Sequence, residues 1–377
     1  MQAMKVAVVG GGLGGLTAAA LLARGGCEVT LYERSKHLGG RAQTTEVEGF
    51  RFNLGPHALY RAGAAMRVLG RLGVKPPGGI PGAGSYALRA GRLHTLPSGP
   101  VTLMTTDVLS LAGKLEVARL LAGLARIDTA PLGPLSTREW LDTRLAREDS
   151  RALVGALVRV ATYCADHTVL SAQVAVKQLQ SAVAANVLYV DGGWSTLVDA
   201  VERQGREAGA RLELSARVDA VVLRGSRVEG VRLADGTVHA ADAVVVAGSP
   251  AEVAALVPGD AVLAREAREA IPIKAATLEL GLSTLPRPGA LFALGVDGPW
   301  YASVHSASAR LAPEGGAMVH VAKYLGGSDT EPSESELESV MDAFQPGWRA
   351  HVVARRFRPA LTVSAGLPQA AKGGLSG

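Results

Sequence analysis

The residues of this 377-residue chain that most clearly suggest chemistry form a glycine-rich turn. Gly10, Gly12 and Gly15 fit the spacing G-x-G-x-x-G. In that spacing the first glycine makes a tight turn, the second lets the backbone approach a pyrophosphate, and the third lets a helix pack closely on a strand. A helix that begins here also offers N–H groups and the positive end of its dipole to phosphate oxygens. Leu13 and Gly14 belong to the same predicted binding site.

The elements on either side of this turn would position it. Apolar residues predict a buried strand over 5–9, a helix over 13–23 and a second strand over 28–33, which together make a βαβ unit. Glu33 ends the second strand about twenty residues after the turn, where an acid takes the ribose hydroxyls of a bound dinucleotide. The motif predicts a dinucleotide site, but by itself it does not distinguish FAD from NAD.

The residues that follow the ribose acid favour FAD. Arg34 is followed by Leu38-Gly39-Gly40-Arg41, and a Gly-Gly-Arg at this place resembles the second flavin fingerprint of the amine oxidase and phytoene (carotenoid) desaturase superfamily. In that family the segment passes along the FAD pyrophosphate. The resemblance implies that Arg41 binds an anion, which suits a guanidinium that can fork phosphate oxygens. FAD is therefore the expected cofactor.

A further segment, residues 52–57, is similar to the family segment that reaches the flavin ring. The resemblance implies that Gly55 and Pro56 place bare backbone near the isoalloxazine and that His57 faces the substrate. Histidine titrates near neutrality, so a proton-relay role for His57 is one interpretation. The alternative, which we favour, is a loop histidine without catalytic duty. No other catalytic residue is predicted.

Three later segments match the family less specifically. Val218 starts a predicted antiparallel meander, and the resemblance implies that its backbone contacts the adenine. Ala247 and Gly248 resemble the family's strand exit towards the FAD, after an apolar strand of the kind that is buried in a parallel sheet. Residues 192–194, Gly-Gly-Trp, match the segment that opens the returning helix.

The predicted fold is α/β, with a Rossmann-type FAD-binding domain that contains an inserted β-meander, and a discontinuous α+β substrate domain. We assign residues 1–59 and 190–265 to the first domain, and residues 60–189 and 266–377 to the second. In the substrate domain we expect helices over 60–72, 107–127 and 137–180, the last group capped by Ser136. Strands are expected over 276–282 and 317–325, a hairpin around residues 90–91, and a solvated loop over 328–338 that leads into a short helix.

The composition is that of a globular chain, with 48% hydrophobic and 19% charged residues. The net charge is +5, but the tight basic cluster of Arg355, Arg356 and Arg358 comes without a nucleic-acid-reading motif, so no nucleic-acid partner is expected. Cys27 and Cys164 show neither metal-ligand spacing nor a disulfide pattern, so no metal is expected. A reducing cytoplasm fits these cysteines best.

The resemblance implies an FAD-dependent oxidoreductase in which a hydride passes from the substrate to N5 of the flavin. A small lipophilic substrate, as in a carotenoid desaturase, is our first choice, and an amine oxidase or a protoporphyrinogen oxidase is the alternative. An aromatic content of 4% argues mildly against an aromatic amine cage. The apolar stretch 101–124 is expected to pack as an ordinary helix; lining a hydrophobic tunnel or touching a membrane surface peripherally is the alternative. The oligomeric state is left open.

One departure from the family pattern bears on activity. The family usually ends with a Gly-Asp segment and a helix that close over the ribityl chain and the flavin ring. No match to that segment is found before residues 371–377, where the sequence stops. A truncated reading frame is one explanation, and an element that is replaced or lost is the other. An inactive or truncated flavoprotein homologue is therefore a further alternative.

Overall fold

The computed structural model describes residues 3–327 and 332–375. Residues 328–331 of the loop predicted over 328–338, and the last two residues of the segment 371–377, lie outside the described part of the chain. Two compact units are present. Unit 1 comprises Met1–Thr44, Ala64–Pro77 and Asp191–Ile271, and unit 2 comprises Thr45–Gly63, Gly78–Val190 and Pro272–Gly377. The predicted division into a cofactor domain and a substrate domain stays a prediction.

The described helices are α1 (Leu13–Arg24), α2 (Ala64–Arg71), α3 (Pro100–Thr105), α4 (Leu111–Gly123), α5 (Thr137–Arg144), α6 (Glu148–Thr162), α7 (Ala172–Ala185), α8 (Ser195–Glu207), α9 (Pro250–Leu256), α10 (Ala261–Glu269) and α11 (Glu334–Phe344). The described strands are β1 (Lys5–Val9), β2 (Glu28–Tyr32), β3 (Thr45–Val47), β4 (Phe50–Phe52), β5 (Leu59–Tyr60), β6 (Gly78–Gly79), β7 (Ser85–Arg89), β8 (Arg92–Thr95), β9 (Val187–Val190), β10 (Arg211–Glu213), β11 (Val218–Arg224), β12 (Arg227–Leu233), β13 (Val238–Ala240), β14 (Ala243–Val246), β15 (Ile273–Leu282), β16 (Phe292–Gly295), β17 (Trp300–Val304), β18 (Ala317–Leu325) and β19 (Val352–Ser364).

Unit 1 is built on a four-stranded parallel sheet with the order β10-β2-β1-β14. The predicted βαβ unit is confirmed as β1, α1 and β2, and α1 buries Leu16, Ala19 and Ala20. The predicted meander is confirmed as the antiparallel sheet β11-β12-β13. In the described chain β14 pairs only with β1 and is half-buried, so its apolar sequence marks an edge strand rather than a strand buried on both sides.

Unit 2 is built on a seven-stranded sheet with the order β19-β15-β18-β17-β16-β7-β8. Its strands are antiparallel to their neighbours, except that β16 and β7 run parallel. Residues alternate between the two faces of a strand. Leu278 and Leu280 of β15 pack in an apolar core with Leu337 and Met341 of α11. The alternate positions of β15 lie on the other face, which we call the polar face because it carries Thr277 and Glu279.

The helices of the predicted substrate domain follow the expected positions with two corrections. The helix predicted over 60–72 begins only at Ala64, because Tyr60 pairs with Val187 in a short strand ladder. The helix predicted over 107–127 is limited to α4 and a following 3-10 turn, because Ser110 caps α4 by accepting a hydrogen bond from the N–H of Gly113. Among the described residues, no helix is long and apolar enough to cross a membrane.

Candidate functional site

The glycine-rich turn joins β1 to α1, and steric contacts explain two of its glycines. Gly10 has a φ angle of +105°, and a Cβ there would lie 2.9 Å from the carbonyl oxygen of Ala247. A Cβ at Gly15 would overlap the carbonyl oxygen of Gly10. Because a side chain does not fit at either position, the strand and the helix can pack closely, as the spacing predicts.

The same turn leaves the start of α1 open. Among the described residues, a Cβ at Gly12 would have one neighbouring atom, the carbonyl oxygen of Gly39 at 3.9 Å, and a Cβ at Gly14 would have none within 4 Å. In the described part of the chain no side chain caps the helix there, and its first turn holds no acidic residue. The N–H groups that begin with Leu13 therefore have no side-chain partner among the described residues. This arrangement fits a phosphate group.

Glu33 directly follows β2, and two backbone amides fix its carboxylate. The N–H of Gly11 donates to Oε2 at 2.6 Å, and the N–H of Ser35 donates to Oε1 at 2.8 Å. Glu33 is half-buried, and a carboxylate has about four acceptor positions, so both oxygens can accept further hydrogen bonds. The arrangement therefore suits ribose hydroxyls beside the glycine-rich turn.

The second predicted fingerprint lies against the glycine-rich turn. The N–H of Gly39 donates to the carbonyl oxygen of Gly11 at 2.8 Å, and Gly39 also pairs with Gly12 as an isolated bridge. The φ angles of Gly39 and Gly40 are +106° and +53°, in the region that favours glycine. Arg41 follows with an exposed side chain. The fold thus brings the two sequence fingerprints together.

Arginine charges flank this junction. Nη2 of Arg34 lies 3.3 Å from Oε1 of Glu252, and the Arg34 side chain is 70% exposed. Hydrogen bonds from Ser249 lower the pKa of Glu252, and the charges of Arg34 and Arg41 lower it further. Because an exposed ion pair contributes little stability, Arg34 can turn from Glu252 towards an anionic ligand at small cost.

The later predicted residues also lie in unit 1. Ala247 and Gly248 directly follow β14 and are exposed. Val218 is buried and opens β11, and the strand register shifts just after it. The N–H of Ala216 donates to the carbonyl oxygen of Glu33 at 2.9 Å. The start of the meander therefore lies beside the predicted ribose acid.

Gly55, Pro56 and His57 belong to unit 2, where they lie against the seven-stranded sheet. Gly55 has a φ angle of +79°, and a Cβ there would lie 3.1 Å from Cγ2 of Thr277. The hydroxyl of Tyr163 donates to the carbonyl oxygen of Pro56 at 2.8 Å. Nδ1 of His57 lies 2.9 Å from the carbonyl oxygen of Gly55. This segment therefore covers part of the polar face of the sheet.

The polar face also holds buried titratable residues that the sequence analysis missed. Glu279 on β15 and His320 on β18 are directly paired and fully buried, and Oε1 of Glu279 lies 3.5 Å from Nδ1 of His320. His305 stacks on Tyr189 with ring centroids 3.9 Å apart. A signal was present, because Glu279 and His320 are polar residues inside otherwise apolar strand sequences.

The basic cluster that the sequence analysis singled out lies on β19 and is distributed over partners within unit 2. Arg355 forms ion pairs with Glu334 and Glu338. The guanidinium of Arg356 lies 4.8 Å above the ring of Phe52. These contacts account for two of the three arginines as structural residues.

Unit 1 combines an open glycine-rich turn, a ribose acid and a Gly-Gly-Arg loop on a parallel sheet, and unit 2 is built on a large sheet. This combination is that of the FAD-dependent oxidoreductase folds. The profile of the family described as flavin containing amine oxidoreductase matches residues 13–336. The chain belongs to this family, whose cofactor is a flavin.

The chain spans about half the length of the curated relatives that it matches. The 4,4'-diaponeurosporene oxygenase of Staphylococcus aureus (strain USA300) is 27% identical over 278 residues, which cover 64% of this chain and 54% of the relative. Among solved structures, an oxidoreductase from Methanosarcina mazei has a TM-score of 0.78 at 19% identity, over 98% of this chain and 90% of that one. A putrescine oxidase has a TM-score of 0.74 at 18% identity, over 94% and 85%. At this identity the two structures are evidence for the fold.

Proposed function

We propose that this protein is an FAD-dependent oxidoreductase and that the glycine-rich turn of unit 1 holds the ADP half of FAD. The observation that carries the proposal is the uncapped start of α1, which is open at Gly12 and Gly14 and lies beside Glu33. The N–H groups at the helix start bind the pyrophosphate, Glu33 binds the ribose hydroxyls, and Arg41 offsets phosphate charge.

The remaining cofactor assignments rest on the family resemblance. They are Gly10, Leu13, Gly15, Arg34, Gly39 and Gly40 around the phosphates, Val218 at the adenine, Ala247 and Gly248 at the strand exit, and Gly55, Pro56 and His57 at the flavin ring. When bound, FAD supplies the redox chemistry by accepting a hydride at N5. The residues of the chain hold the cofactor, exclude water and position the substrate.

The proposed substrate is a small lipophilic molecule of the carotenoid class, which loses hydrogen across a carbon–carbon bond. The similarity to a protein named for the oxygenation of diaponeurosporene supports this choice. A porphyrinogen is the alternative substrate of similar hydrophobic character.

An amine oxidase is the second candidate, and the aromatic residues of unit 2 favour it. Only 4% of residues are aromatic, but Phe292, Tyr301 and Tyr324 form one cluster on the sheet. Tyr163 packs against Tyr324, with ring centroids 5.6 Å apart and an angle of 86° between the ring planes. Aromatic rings attract the cationic form of an amine through their electron-rich faces.

The test is anaerobic bleaching of the flavin absorption in the FAD-loaded protein. One arm receives an acyclic polyene hydrocarbon in detergent micelles, and the other receives putrescine. Bleaching by the polyene alone is the expected result, whereas bleaching by putrescine alone selects the amine oxidase. Free FAD in the same micelles is the control. If neither substrate bleaches the bound flavin, both candidate substrate classes are wrong.

We also propose that α3 and α4 contact a membrane surface, from which a lipophilic substrate can enter. Val101, Met104 and Leu111 are each at least 75% exposed, and Leu115 is 53% exposed. A cluster of exposed apolar side chains of this kind is uncommon on a protein surface that faces only water.

Liposome co-sedimentation tests this contact. Replacing Val101, Met104 and Leu111 together by serine is expected to release the protein from liposomes, because the apolar area that enters the lipid is removed. Replacing Val238 by serine is the control, since Val238 is 57% exposed on the meander of unit 1. Equal sedimentation of the triple variant and the wild type would refute the contact.

A further inference from the structure

The polar face of the seven-stranded sheet presents an acid and a histidine at directly paired positions. Glu279 on β15 lies opposite His320 on β18, and both side chains are fully buried. Their neighbours along the strands, such as Leu278 and Val321, point to the opposite face and pack in the apolar core. Strand alternation and register therefore bring two ionisable groups together in a fully buried position.

Several polar atoms of this face have no hydrogen-bond partner within the described part of the chain. They include both ring nitrogens of His320, Oγ1 of Thr277 and the hydroxyl of Tyr324. The 3.5 Å between Glu279 and His320 is too long for a good hydrogen bond. A buried polar atom without a partner destabilises the fold, because it has lost its hydrogen bonds to water. Buried polar atoms without hydrogen-bond partners that cluster in this way are typical of a functional site.

Burial, rather than the neighbouring charges, brings the pKa of Glu279 close to neutral pH. It raises the pKa of Glu279 to about 7, although the guanidinium groups of Arg356 and Arg358 and a hydrogen bond from the backbone of Gly55 act in the opposite direction. Nε of Arg358 lies 4.0 Å from Oε2 of Glu279. Burial, with a smaller effect of the His57 charge, lowers the pKa of His320 to about 3. The histidine therefore stays neutral while the acid titrates.

Further imidazoles extend from this pair. The rings of His305 and His320 have centroids 4.3 Å apart, and Nε2 of His305 lies 2.9 Å from the hydroxyl of Tyr301. Burial lowers the pKa of His305 well below its usual value, and His320 and His57 contribute to the effect. His57 is the half-buried member of the group. A neutral imidazole can accept a proton on one nitrogen and release one from the other.

We propose that Glu279 is the acid–base group of the oxidation and that it acts through two histidines. The half-buried His57 meets the reacting part of the substrate and takes up the proton that it releases, and His320 passes this proton inwards to the carboxylate of Glu279. The inference rests on the proposed function, because the proton arises only when a substrate is oxidised.

The step balances in atoms and electrons. In the desaturation of a carbon–carbon bond, two C–H bonds break on neighbouring carbons and one C=C bond forms. One hydrogen leaves with both electrons of its bond as a hydride, which oxidised FAD accepts. The electrons of the second C–H bond form the new double bond, and that hydrogen leaves as a proton. This proton passes through His57 and His320 to the carboxylate of Glu279, which becomes neutral, the form that burial favours.

The test compares anaerobic flavin bleaching by the acyclic polyene in the FAD-loaded wild type and in Glu279→Gln, which keeps the shape but cannot accept the proton. The expected loss of rate is roughly 10²- to 10⁴-fold, with unchanged flavin absorption and circular dichroism. Glu46→Gln is the matched control, because Glu46 is an exposed carboxylate of the same unit that pairs with Arg51. It is expected to bleach at the wild-type rate.

The pH profile separates an acid–base role from a structural one. The wild-type rate is expected to rise with pH through about 7, because the carboxyl group must be ionised to accept a proton. Glu279→Asp is expected to keep such a rise at a lower rate, and Glu279→Gln to lose it.

The outcomes distinguish the two proposals. If the polyene bleaches the wild type and Glu279→Gln equally fast with the same pH profile, the acid–base assignment is overturned and the proposed function stands. If the polyene fails to bleach the wild type, the proposed carotenoid-class substrate is wrong and the acid–base assignment fails with it. Should Glu279→Gln not fold, Glu279→Asp and His320→Gln decide, since wild-type rates and pH profiles in both overturn the assignment.

Discussion

Gly12 and Gly15 belong to the same turn, but they differ in what a side chain would meet. The backbone of Gly12, with φ −74° and ψ 175°, is extended and suits valine. We therefore expect Gly12→Val to keep the fold and to lose FAD binding, because the valine occupies the place of the pyrophosphate. FAD titration by fluorescence, with circular dichroism on the same samples, measures both quantities.

Gly15→Val is the matched comparison. It is expected to destabilise the protein itself, because even a Cβ at Gly15 overlaps the carbonyl oxygen of Gly10. Undiminished FAD affinity in a folded Gly12→Val variant would show that the pyrophosphate does not lie at this turn.

Glu279 leads to a prediction about stability as well as rate. Its pKa in the folded protein, about 7, is raised above the ordinary value of 4.5, so ionisation costs more in the folded state than in the unfolded state. The contribution of Glu279 to stability is therefore greatest at pH values below its pKa in the unfolded state. This contribution is lost as the pH rises through its pKa in the folded state. Glu279→Gln removes this loss.

Urea unfolding at two pH values measures the effect. The stability of Glu279→Gln relative to the wild type is expected to be higher at about pH 8 than at about pH 5. An equal difference at the two pH values would mean that Glu279 has an ordinary pKa in the folded state.

At the scale of the elements, the connection between β4 and β5, which contains Gly55, leads to a prediction about stability. Gly55 has a positive φ and closely approaches Thr277, so Gly55→Ala is expected to cost about 1–3 kcal/mol from backbone strain, and more from the contact. Gly91→Ala is the control, since Gly91 has a similar φ of +72° but no atom within 4 Å of the added Cβ among the described residues. Thermal unfolding compares them, and equal losses would show that the contact contributes nothing.

The elements with strong local signals were predicted from the sequence. The βαβ unit, the meander, the hairpin around residues 90–91 and the Ser136 cap all depend on nearby residues, and the structure confirms them. The boundaries of α2 and α4 were wrong, because a distant strand partner for Tyr60 and a local cap at Ser110 override the apolar pattern. β19 was not predicted, since its three arginines interrupt the apolar pattern of a strand whose partners lie far away in the chain.

For the whole molecule, the sequence predicted the family and the α/β class, because both depend on motifs of a few adjacent residues. The glycine-rich turn and the Gly-Gly-Arg loop also come together as expected, with Gly39 bonded to Gly11. The pairing of Glu279 with His320 was not predicted, because it arises from the register of two strands that are distant in sequence. A register of this kind is fixed by tertiary packing rather than by local residue preferences.

The visible absorption spectrum of the purified chain, before and after addition of FAD and gel filtration, tests the central claim most directly. We expect the absorption bands of oxidised flavin to co-elute with the protein, because the open start of α1, Glu33 and the Gly-Gly-Arg loop form a site for the ADP half of FAD. A folded protein that stays colourless after incubation with FAD would contradict the assignment of this turn as a flavin site.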